Sequence, residues 1–116
     1  MIIRNEERVT STGVRFNGKG EVSGTTVLPP EPEAFCGHGH LFNHVTIKPG
    51  NSLGDHRHEG EFEVYYFLKG EGVYNDNGTD VPVRVGDVAI CKDGEVHGLT
   101  NTGTEDLEMI ALILYS

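Results

Sequence analysis

The chain has 116 residues, 18 of them Asp or Glu against nine Lys or Arg, for a formal charge of −9 with histidine neutral. That length is one domain's worth, and the acidic balance repels phosphate backbones and anionic lipid surfaces, so neither nucleic acid nor a membrane is an expected partner. No window approaches the ~20 consecutive apolar residues of a membrane span; residues 1–9, with Arg4, Glu6, Glu7 and Arg8, have no apolar stretch of the secretory kind, and a cytoplasmic location is expected. Cys36 and Cys91 are then expected to be free thiols, not a disulfide framework.

Sixteen glycines and five prolines are spread along the chain, the pattern of short strands joined by tight turns. Residues 1–24 are polar and glycine-punctuated, and read as an N-terminal arm that starts with a short strand and continues as loop. Residues 25–28 form a short strand stopped by Pro29, Pro30 and Pro32, none of which can donate to a ladder. Residues 41–48 are a strand ended by Pro49-Gly50, and 61–68 are another, rich in Val, Tyr and Phe. Residues 72–74 and 80–85 flank Asn75-Asp76-Asn77-Gly78, whose Asn-Gly pair favours the positive φ of a hairpin turn. Strands at 87–91 and 107–115 complete the set. No helical periodicity is sustained over three turns, so the fold class is all-β, a sandwich or closed barrel. The run 109–114 is apolar at every position. A strand that apolar is buried on both faces, or its outer face meets another subunit; a homodimer is the favoured expectation.

The chemistry lies in a cluster of histidines and carboxylates. Residues two apart on an extended chain share a face, so His56 and His58 present both imidazoles on one side. A turn at Glu59-Gly60 brings Glu61 and Glu63 back beside them, and His97 follows in a later glycine-rich turn. Imidazoles with a carboxylate suit one divalent transition metal: Mn, Fe, Ni, Co or Zn. Tyr65 and Phe67 share the parity of Glu63 and should point inward, and Phe67 and Leu99 are the apolar candidates for the lumen of a pocket. His38 and His40 read as exposed loop residues, while His44, on the strand leading to Gly50, is a candidate for the lumenal face.

Gly50, His56, His58, Glu63 and Gly70 occupy every fixed place of glycine, five residues, His-x-His, four residues, glutamate, six residues, glycine. Gly86, Gly94, His97 and Asn101 fill a second pattern, with Lys92 where proline is usual. On these two motifs, at 50–70 and 86–101, the chain resembles the cupin superfamily. The resemblance implies a single-domain, cupin-type double-stranded β-helix (a jelly-roll barrel) over residues 25–116. It also implies that His56, His58, Glu63 and His97 are metal ligands. Lys92 removes a rigid turn element, not a ligand.

The spacing to Gly70 favours Glu63 over Glu61 as the liganding carboxylate and leaves Glu61 at the rim. Such a metal suits an enzyme acting on a small oxygen-rich metabolite chelated to it, a dioxygenase, decarboxylase or isomerase. The alternative is a non-catalytic, metal-dependent small-molecule binder. Any base for proton transfer would come from His44, Tyr65 or Glu61. Oxalate decarboxylases commonly carry an arginine three residues before the first ligand histidine, and Leu53 stands there. With Asp55, Glu59 and Glu61 around the ligand loop and Arg57 as its only cation, the mouth is expected to oppose a small dianion.

Overall fold

The computed structural model describes residues 1–116. Ten strands follow in chain order: β1 (Thr10–Gly13), β2 (Val22–Leu28), β3 (Gly39–Ile47), β4 (Ser52–Arg57), β5 (Glu61–Lys69), β6 (Glu71–Asp76), β7 (Thr79–Arg84), β8 (Val88–Cys91), β9 (Val96–Thr100) and β10 (Leu107–Tyr115). They form a six-stranded sheet, β1-β2-β3-β10-β5-β8, and a four-stranded sheet, β4-β9-β6-β7, with every pairing antiparallel. Neighbours distant in sequence, such as β3 with β10 and β4 with β9, make this the expected jelly-roll arrangement. No helix is long and apolar enough to cross a membrane.

Alternation along the strands decides what fills the space between the sheets. On β5, Glu63, Tyr65 and Phe67 point inward and are buried, while Tyr66 and Leu68 are exposed. On β10, Met109, Ala111 and Ile113 are buried, whereas Ile110, Leu112 and Leu114 are half-buried on the outer face. Phe67, Leu99, Ile47 and Leu107 form the floor of the barrel with almost no exposure. Phe67 and Leu99 are therefore core residues, and the cavity above them is lined by others.

The segment read as an arm is part of the larger sheet. β1 pairs with β2 from Thr10↔Thr25 to Gly13↔Val22, and β2 begins at Val22, so a boundary at residue 25 falls inside a strand. His97, expected in a turn, lies on β9. Lys92 costs the second motif nothing visible: the Glu95 amide donates to the Lys92 carbonyl at 3.0 Å and Gly94 supplies the positive φ, so the turn closes without proline. The cysteines are free, Cys36 exposed and Cys91 buried; burial, more than any charge, pushes the Cys91 thiol up to about 11.

Asn101, the last fixed residue of the second motif, is a structural clamp. Its side-chain amide donates to the carbonyls of Ile47 and Glu105, each at 2.8 Å, and its side-chain oxygen accepts from the Gly103 amide at 2.9 Å. Asn101→Leu, similar in volume, leaves the buried Ile47 carbonyl and the part-buried Glu105 carbonyl and Gly103 amide without this partner. Denaturant unfolding of the metal-free protein should show a loss of about 3 kcal/mol; a loss under ~0.5 kcal/mol would mean that water satisfies these groups.

Candidate metal centre

His56 and His97 face each other across the β4–β9 ladder, in register as Cα partners. The ladder shifts register between Leu53 and His56, and such an irregularity re-aims the side chains that follow it. His58 lies just past the end of β4, and Glu63 comes from β5 of the opposite sheet. One donor atom from each of the four lies within 4.8 Å of the others. His97 Nε2 is 3.0 Å from both His56 Nε2 and His58 Nε2, and Glu63 Oε1 is 3.0 Å from His58 Nε2 and 3.1 Å from His97 Nε2.

The outer nitrogen of each imidazole is held in turn. His56 Nδ1 donates to the Gly54 carbonyl at 2.8 Å, His58 Nδ1 donates to Glu61 Oε2 at 2.6 Å, and His97 Nδ1 is 2.9 Å from the Tyr74 hydroxyl. A carbonyl and a carboxylate only accept, so Nδ1 of His56 and His58 carries a proton; without a metal His58 Nε2 also donates to the Glu63 carboxylate, and with one the neutral rings would turn their Nε2 lone pairs to it. Lone pairs converging on a buried carboxylate are what a cation satisfies, and partners behind the ligands are how metal sites fix ring orientation. Four of the donor pairs lie at 3.0–3.1 Å and all lie within 4.8 Å, close enough for one ion to reach all four donors. The four residues thus fit the group the motif implies.

The electrostatics agree. Burial raises the Glu63 carboxyl, but hydrogen bonds from His58 and His97 outweigh it and hold the group at about 2, so it is ionised. Burial pulls His56 down, keeping it neutral. The Glu63 hydrogen bond raises His58, a proton that a metal ion would replace.

The three candidate bases fare differently. His44 lies on the outer face of β3, where Nε2 meets Glu108 Oε1 at 2.8 Å, so it is not lumenal. Glu61 is not a free rim charge: it bridges His58 Nδ1 and His40 Nε2, the latter at 2.8 Å. His40 is accordingly a half-buried residue of β3 and not a loop residue, while His38 is exposed as expected. Tyr65 does line the cavity and stacks on the His97 ring, centroids 5.0 Å apart. Burial, then the Glu63 charge, pushes its phenol well above the ordinary range, which leaves it a donor and not a base.

Two functional neighbours come from the segment read as loop. Arg15 and Phe16 line the cavity beside His56, His58 and Glu63. The Phe16 ring lies parallel to the His56 ring, centroids 3.6 Å apart and planes within 10°. Phe16 and Asn17 both have positive φ, 53° and 57°, and the Gly18 amide donates to the Arg15 carbonyl at 2.9 Å, as in a type I′ turn. A bulky residue in that region costs on the order of 1–3 kcal/mol. The turn is held by the Gly54 amide donating to the Arg15 carbonyl at 3.2 Å, and a side chain at Gly54 would collide with the Phe16 carbonyl. Arg57 is exposed and donates to the Gly94 carbonyl. The cation at the cavity is Arg15, not Arg57.

A jelly-roll barrel with three histidines and a glutamate converging from both sheets defines a β-barrel of the double-stranded β-helix class with a candidate metal site. The Cupin domain profile matches residues 43–113. The chain belongs to the cupin family. It is 50% identical over 116 residues to an oxalate-binding protein of Thermotoga maritima, covering 98% of this chain and 93% of that one. A crystal structure described as a predicted oxalate decarboxylase from Thermotoga maritima superposes with a TM-score of 0.92 at 44% identity, covering all of both chains. A sugar phosphate isomerase described as putative, from Acidithiobacillus ferrooxidans, shares the fold at a TM-score of 0.78 and 20% identity, over 99% of this chain and 75% of that one.

Proposed function

We propose that this protein binds one divalent transition metal, such as manganese(II) or iron(II), through His56, His58, Glu63 and His97, and through it a small oxygen-rich carboxylate of the oxalate class. The convergence of three imidazole nitrogens and a buried carboxylate at about 3.0 Å spacing carries this reading. The bound ion would supply Lewis acidity to chelating oxygens. The cavity against the cluster has a volume of about 240 Å³, below the ~300–1,000 Å³ of drug-sized sites, which favours a ligand of a few heavy atoms. The relatives named for oxalate support the ligand class, and Arg15 supplies the cation whose apparent absence argued against a dianion.

Binding is favoured over proton-transfer catalysis because no untethered base faces the cavity: His44 is outside it, Glu61 is engaged by two histidines, and Tyr65 stays protonated. Calorimetric titration with oxalate should show binding to the metal-loaded protein and none to the metal-free protein, with no formate or carbon dioxide released. Equal binding to both forms removes the metal-chelation reading, and steady release of formate with carbon dioxide makes the protein a decarboxylase.

The outer face of the six-stranded sheet supports a homodimer. Ile110, Leu112 and Leu114 pair with Tyr66, Val64 and Phe62, and Val64 and Tyr66 continue to Ile90 and Val88, both more than half exposed. These rows run from half-buried on β10 to exposed at Tyr66, Val88 and Ile90, and an apolar face of that kind marks an association surface. Sedimentation at low micromolar concentration should give a dimer, and Leu112→Lys a monomer; a monomeric parent protein would remove the inference.

A further inference from the structure

We propose that Arg15, with Ser11 and Asn43, forms an anion subsite facing the metal cluster, and that this subsite makes the cavity selective for small dianions over monoanions. The inference rests on the metal-chelation reading and adds to it the wall that meets the far end of the ligand.

Arg15 Nη2 donates to Ser11 Oγ at 3.1 Å. That is one of the five N–H donors of a guanidinium, and no carboxylate lies within ion-pair distance of it. The contact with Ser11 is exposed to solvent, so the remaining donors of the guanidinium are accessible to an anion that enters the cavity. Room for it is built in: a Cβ on Gly13 would come within 2.8 Å of Arg15 Nη1. The Asn43 side chain, on the inner face of β3, lines the same wall.

Charge counting makes the selectivity specific. Among the residues lining the cavity, Arg15 is the only Lys or Arg and Glu63 the only carboxylate. With three neutral imidazoles, a divalent ion, Glu63 and Arg15 sum to two positive charges, which a dianion neutralises. Without Arg15 the sum is one, which a monoanion neutralises. In a half-enclosed cavity a whole unit of imbalance weighs far more than in open water. The turn carrying Arg15 is docked on β4, and Phe16 on the His56 ring ties the subsite to the ligand cluster.

The test is calorimetric titration of manganese(II)-loaded protein with oxalate, a dianion, and with glycolate, a monoanion that chelates through a ring of the same size. The parent protein should prefer oxalate. Arg15→Gln should keep one metal per chain and weaken oxalate on the order of 10–100-fold, as for a lost charge-assisted hydrogen bond, while glycolate changes less than ~3-fold. Arg15→Lys, which keeps the charge, should restore part of the oxalate affinity and little of the glycolate difference. Oxalate affinity unchanged in Arg15→Gln overturns the subsite. Equal loss of both anions, or loss of metal along with them, also overturns it and makes Arg15 a structural support of the turn. A parent protein that takes up manganese but binds neither anion overturns the ligand reading and this one together; one that takes up no manganese places the failure at the metal centre.

Discussion

His97→Ala should abolish tight metal binding, lowering affinity by more than ~100-fold, since even residues that only support ligands cost ~10–100-fold. His97 sits at the middle of the cluster, 3.0 Å from two imidazole nitrogens and 3.1 Å from Glu63, and is only 1% exposed. Its loss removes a donor and leaves Tyr65 and the Tyr74 hydroxyl without their partner ring. Stability gives a second readout. At metal concentrations ~100 times the parent's dissociation constant, the parent gains about 2.7 kcal/mol by mass action, and the variant should gain almost none. Metal analysis should find close to one ion per parent chain and a small fraction of that in His97→Ala or His56→Ala. Full metal content in His38→Ala, whose ring is in an exposed loop, is the control. If His38 mattered and His97 did not, the metal would lie elsewhere.

Glu63→Gln should weaken metal binding nearly as much, and far more than Glu61→Gln. Glu63 is 5% exposed and its ionised carboxylate is the only negative charge among the donors. The amide keeps the shape and discards the charge, so a dication would meet three neutral nitrogens and a neutral oxygen in a poorly solvated place. A loss of ~100-fold or more follows from an uncompensated whole charge. Glu61 reaches the metal only through His58, whose Nδ1 it accepts at 2.6 Å. Glutamine there can still accept that bond through its side-chain oxygen, so the loss should be ~10-fold at most. From sequence Glu61 looked like a rim charge, whose effect would fade as salt is raised. Acting through a short hydrogen bond, it should be nearly salt-independent. Titrating metal-free protein with manganese(II) at two ionic strengths separates the cases. Equal losses in both variants would mean that both carboxylates coordinate.

Several misplacements share one cause. Sequence spacing resolves side-chain parity along a strand, so Glu63, Tyr65 and Phe67 were legible as inward-facing once β5 was found. It does not resolve depth, and so Phe67 and Leu99 were assigned to the lumen when they form its floor. Nor does it say which face of an isolated strand is inner. His44 went to the outer face because Leu41, Asn43 and Val45 line the cavity from β3. The Asn17-Gly18 dipeptide was the one local signal of the turn that carries Arg15 and Phe16, and its contact with β4, over 30 residues later, is invisible locally.

The sequence by itself determined the all-β class, strands β3, β5, β6, β7, β8 and β10 but not β4 or β9, and the four candidate ligands, because period-two alternation and fixed motif spacings are short-range properties of an extended chain. Only the tertiary structure decided that Gly54, Glu61 and Tyr74 hold the imidazoles, that His40 backs Glu61, and that β1 pairs with β2 and leads into a turn whose Arg15 lines the same cavity as His56, His58 and Glu63. Those contacts join segments distant in the chain. Which of them form depends on sheet pairing and on the packing of two faces against each other, and no local pattern of residues encodes that.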